Sequence, residues 1–110
     1  MTECKIGFID AKVRDAYYEL KDGYGDEKQL FLLISQAIEN IKKNHMIGIA
    51  IPKRLIPKEY IRRYGIDNLW KYDLPKGWRL LYTVQGNSVN IVSIIVEWMD
   101  HKNYERRFKY

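Results

Sequence analysis

With 110 residues, 46% of them hydrophobic and 30% charged, the chain is long enough for one domain with its own core and too short for two, and it does not read as disordered. A net charge of +5 and a sequence pI near 9.3 permit attraction to a polyanion such as RNA, DNA or an acidic protein. The lone Cys4 excludes an internal disulfide and a cysteine zinc cluster, and no apolar run reaches the roughly 18 residues of a membrane span.

Residues 5–9 read as a short strand. From Asp10 the spacing turns helical: Ala11, Ala16, Tyr17 and Leu20 share a face, and Asp10 is placed to cap them. Asp22-Gly23-Tyr24-Gly25-Asp26 has the composition of a turn. Over 27–44, Leu30, Leu33, Ile34, Ala37, Ile38 and Ile41 recur at three and four residues and form one apolar stripe. Two helices so joined make an αα-hairpin that needs a flat partner. Residues 47–51 (IGIAI) read as a strand or as an extended lead into Pro52. At 57–65, Pro57 suits the first turn of a short helix and Gly65 its end. Residues 69–74, 78–84 and 89–98 are rich in aromatic and β-branched side chains and read as three strands. Pro75-Lys76-Gly77 and Gly86-Asn87-Ser88 supply the turns. The last ten residues, HKNYERRFKY, suit a short helix or an extended arm. The expected fold is a single α+β domain over 1–110: an N-terminal αα-hairpin packed on a twisted, mainly antiparallel sheet, with a basic C-terminal tail.

Charge is unevenly spread. Residues 1–50 hold seven Lys or Arg against eight Asp or Glu, and the other sixty hold twelve against six. The basic excess therefore belongs to the meander and the tail. There, Gly77-Trp78-Arg79-Leu80-Leu81-Tyr82 and a third strand running into His101-Lys102, with Tyr104 close by, resemble the RelE/ParE superfamily of bacterial and archaeal toxins. The helices upstream fall in the matching order. The segment 57–65 is longer than the loop many members have, and is expected beside the active face or against a partner.

The resemblance implies a RelE-like type II toxin. Such a protein is an endoribonuclease that cleaves mRNA without metal or other cofactor, with cleavage expected in the ribosomal A site, and so inhibits translation. The 2′-hydroxyl attacks phosphorus to leave a 2′,3′-cyclic phosphate, which calls for a base, cations for the growing negative charge, and an acid for the leaving oxygen. Arg79 falls on the family's strand arginine, and a guanidinium grips phosphate oxygens with two prongs. Strand alternation puts Arg79, Leu81 and Thr83 on one face, and Leu80, Tyr82 and Val84 on the other. The plain alternative for Arg79 is an exposed arginine on the solvent side of a half-buried strand. Lys71 occupies a position from which relatives offer a basic group to the phosphate. Asp73, on the same face, stands where some relatives carry a second lysine, and a cross-strand ion pair is the reading favoured for it. His101 suits proton transfer near neutral pH, and Tyr104, or Phe108 or Tyr110 in its place, suits proton donation or base stacking. Lys53, Arg54, Lys102, Arg106 and Arg107 are expected to form a basic rim along the RNA backbone. Glu59 is a further base candidate, since some relatives use an acidic residue upstream of the strand arginine, and a helix ion pair explains it equally well.

Partners implied are a small acidic antitoxin, mRNA and the ribosome, with no membrane. Residues 1–10 lack a signal peptide's apolar stretch, so the cytoplasm is the expected location. Two alternatives share the fold: a ParE-like toxin acting on a topoisomerase, and a catalytically silent module that binds RNA, ribosome or protein. Phosphate-cradling Gly-rich loops, HExxH and nucleophile elbows are absent from the sequence.

Overall fold

The computed structural model describes residues 4–87 and 89–108. Its elements run β1 (Lys5–Phe8), α1 (Ala11–Lys21), α2 (Asp26–Lys43), β2 (Ile49–Ala50), α3 (Lys58–Tyr64), β3 (Trp70–Asp73), β4 (Arg79–Gly86), β5 (Ile91–Met99) and α4 (His101–Phe108). The five strands form one sheet in the order β1-β5-β4-β3-β2. Among the described residues only the β1–β5 pairing is parallel; the meander of the last three strands and the β2 edge are antiparallel. The fold is α+β, as the sequence pattern indicates. Among the described residues no helix is long and apolar enough to cross a membrane.

Local chemistry sets the helix ends. Asp10 is the N-cap of α1, its Oδ1 accepting from Val13 N at 2.9 Å. Gly65 ends α3 in the left-handed region at φ 64°, where a side chain would be strained. Of residues 47–51, expected as a strand or as an extended lead into Pro52, Ile49 and Ala50 pair with β3. Gly48, just before them, is pinned: a Cβ there would lie 2.6 Å from Lys71 O and 2.7 Å from the Tyr82 hydroxyl. Ser88 of the expected second turn and Tyr110 lie outside the described residues.

The sheet is covered on both faces. On one, Leu30, Ile34, Ala37 and Ile41 of the α2 stripe meet Leu80, Tyr82 and Ile95. On the other, Tyr60 of α3 and Tyr104 and Phe108 of α4 meet Leu69, Leu81, Val96 and Met99. A fully buried aliphatic contributes roughly 2 kcal/mol, against well under 1 for an exposed ion pair such as Arg14–Asp15. Stability therefore resides in the two apolar layers.

One irregularity lets β5 serve both layers. Leu81 pairs with Glu97 and Tyr82 with Ile95, so Val96 has no opposite number on β4. This β-bulge turns Val96 and Glu97, neighbours in sequence, toward the α3/α4 side while Ile95 stays under the helical hairpin.

Candidate functional site

The turn after β3 begins the site. Lys76 and Gly77 take φ 64° and 79°, and Leu74 N bonds Trp78 O at 2.8 Å, which folds β4 back along β3. Asp73 thereby lies opposite Arg79 and Lys71 opposite Leu81, on the face covered by α4. Arg79 also pairs with Met99, two residues before His101, so the start of α4 is delivered to its side. Asp100 begins that helix: its Oδ1 accepts from Asn103 N at 2.9 Å and its backbone O from Tyr104 N.

Lys71, Arg79 and His101 meet there. Asp73 Oδ1 lies 3.0 Å from Arg79 Nε and 3.5 Å from Lys71 Nζ. Arg79 Nη2 stands 3.1 Å from His101 Nδ1. Since a guanidinium only donates, Nδ1 is the acceptor and the neutral ring carries its proton on Nε2, which faces the Glu105 carboxylate one helical turn on. Beneath lies the Tyr104 ring, 5.6 Å from Lys71 Nζ and 5.5 Å from Arg79 Cζ, positioned for cation–π contact with both.

Arg79 is not on a solvent-facing surface; its side chain is 17% exposed, because α4 covers that face. Its Nε is close enough to Asp73 for Coulomb attraction, yet the N–H is not aimed at the oxygen, so this buried donor makes no hydrogen bond among the described residues. Tyr104 is buried at 2% exposure and enters as the floor of the cluster. Asp73 is the cross-strand ion-pair partner that its position suggests, and it compensates part of both cationic charges.

The remaining basic residues go elsewhere. Arg54, in a single 3₁₀ turn (Lys53–Leu55), faces a groove between α3 and α4, together with Arg106 and Arg107. Lys53 and Lys102 are exposed outside it. Phe108 is packed in the α3/α4 core, and Glu59 is exposed on α3 at the same groove. The sequence reading does not anticipate two features. Glu105 as the partner of His101 follows from i,i+4 spacing once the tail is known to be helical. The second is a buried-edge network in which the Tyr60 hydroxyl donates to Glu97 Oε2, while Arg107 Nη1 donates to that oxygen at 3.1 Å and to the Tyr60 oxygen at 3.0 Å. Burial first, then the bond to Glu97, pushes the Tyr60 hydroxyl well above the ordinary tyrosine range. Burial opposes the Arg107 charge, but the Tyr60 oxygen and Glu97 outweigh it and hold the guanidinium above its ordinary value.

Comparison of the chain with protein-family models, with curated proteins and with solved structures finds no match.

Proposed function

We propose that the protein is a RelE-like toxin that cleaves mRNA by attack of the 2′-hydroxyl on the adjacent phosphorus. The observation that carries this reading is the convergence of Lys71, Arg79 and His101 from β3, β4 and α4 around one carboxylate and one aromatic ring. Arg79, whose side chain keeps 17% exposure, is the group to grip the scissile phosphate, and Lys71 adds charge stabilisation. His101 is the group to move the proton, with Glu105 orienting its ring. The reading carries an acidic antitoxin and the translating ribosome as partners.

The test is to incubate the protein with a defined mRNA, free and on programmed ribosomes, and to map the new 5′ ends and the 3′ termini. Cuts bearing 2′,3′-cyclic phosphates are expected, falling by about 100-fold or more in Arg79→Ala, the usual cost of removing one transition-state donor. Intact mRNA under both conditions, from folded protein, removes the nuclease reading.

One observation favours a second reading. Asp73 already offsets part of the charge on Arg79 and Lys71, and Glu105 already engages His101. A cluster so balanced also suits a catalytically silent module that keeps the scaffold and binds an anionic partner.

A further inference from the structure

We infer that the groove between α3 and α4 is a second anion site that takes the backbone of single-stranded RNA. The inference rests on the ribonuclease reading for the identity of the polyanion; the groove itself rests on geometry and charge.

The groove encloses about 890 Å3 and is walled by the 3₁₀ turn, α3, the end of β5 and α4. Arg54, Lys58, Arg62 and Arg106 reach it from three separate elements, are exposed, and form no ion pair among the described residues. The groove's carboxylates do not cancel them. Glu97 is engaged by Arg107 and Tyr60, which leaves Glu59 and Asp100 facing four cations, so positive charge stays in excess there. Convergent cations in excess repel one another, and the arrangement is relieved by a ligand carrying negative charge.

The position of the groove favours a nucleic acid strand over an acidic polypeptide, and Trp78 and Trp98 border it while packing against the α2 side of the sheet. The groove and the Arg79 cluster flank one helix: Asn103, Arg106 and Arg107 border the first, His101 and Glu105 the second. His101 and Arg106 are only about 7.5 Å apart along the axis of α4. A strand with its scissile phosphate at Arg79 thus needs to cross only one helix to lay its next phosphates in the groove. The chain segment that builds the far wall is α3, within the 57–65 stretch.

The test uses the full chain and a short fluorescein-labelled oligoribonucleotide, 2′-O-methylated throughout so that it cannot be cut. Binding is followed by anisotropy across a salt series. Arg62→Ala/Arg106→Ala is expected to weaken binding about tenfold and to flatten the log–log salt slope by about 1.4, the share of two phosphate contacts on a single strand. An unchanged urea midpoint shows that the variant is folded, and Arg62→Lys/Arg106→Lys is expected to retain the slope. Wild-type affinity and slope in the alanine pair, or no oligonucleotide binding at all, overturns the proposal. So does a polyglutamate peptide that binds the groove more tightly than the oligonucleotide at equal salt. Unmodified RNA assayed in parallel separates the two readings. RNA that binds through the groove but is never cut removes the enzyme and leaves the groove, whereas cutting and binding unchanged in the alanine pair remove the groove and leave the enzyme.

Discussion

Asp73 Oδ1 stands within 3.5 Å of both Lys71 Nζ and Arg79 Nε, so each cation meets a ligand with part of its charge already compensated. Asp73→Asn lifts that compensation while keeping the side chain's size. Binding of an uncleavable oligoribonucleotide at low salt is expected to tighten by about 1 kcal/mol, roughly fivefold, the scale of one part-exposed ion pair. Unchanged affinity would mean that neither cation meets the phosphate backbone. Tyr82 presents the opposite case, a polar group whose partners are all internal. Its hydroxyl donates to His45 O at 2.8 Å and accepts from Gly48 N at 3.0 Å. Tyr82→Phe leaves both backbone groups without that partner and is expected to cost about 1–2 kcal/mol, read as a lower urea midpoint with an unchanged slope. Strand patterning places this tyrosine on β4 but says nothing of a hydroxyl that anchors the loop before β2. Its partners lie some 35 residues away, and no local pattern records them.

Among the elements, legibility follows periodicity. The α2 stripe and the Asp10 cap needed no tertiary information, because spacing and capping are properties of the segment itself. The terminal segment was ambiguous because only Tyr104 and Phe108 mark an apolar face within it, one turn apart. Its helix is settled by the core between α3 and β5, which sequence cannot display. The same gap explains Arg79. Alternation gave its face correctly, but the solvent that the plain alternative puts on that face is replaced by α4. At the other edge, β2 is shorter than its apolar run suggests because Gly48 must pass under Lys71 O and the Tyr82 hydroxyl. Gly48→Ala forces that contact apart and is expected to cost about 1–3 kcal/mol. Hydrogen exchange should show faster loss of protection at the β2–β3 pairing than in the β4–β5 ladder. Equal protection in both would mean that the crowding is relieved without opening the edge.

For the whole molecule, two covered faces mean that buried hydroxyls tie the layers together, and their ionisation opposes folding. Burial pushes the Tyr82 hydroxyl up to about 12 from the ordinary 10, and Tyr60 is raised further in the same direction. An unfolded tyrosine loses its proton near pH 10 while the folded Tyr82 keeps it until about pH 12, so the unfolded state binds fewer protons in that window. The tyrosine contribution to stability is therefore complete below pH 10 and lost as pH rises through 12. Urea midpoints should fall over this interval, and fall less in Tyr82→Phe; equal falls would assign the alkaline loss to other groups. The bulge at Val96 has a different consequence. With one residue more than β4 requires, β5 holds a spare place in its frame at the centre of the sheet. A single-residue deletion there shortens the strand's path instead of exchanging its inward and outward sides. Opposite, in β4, the same deletion has no slack to draw on, so two neighbouring strands of one sheet differ in the length changes that this fold can absorb.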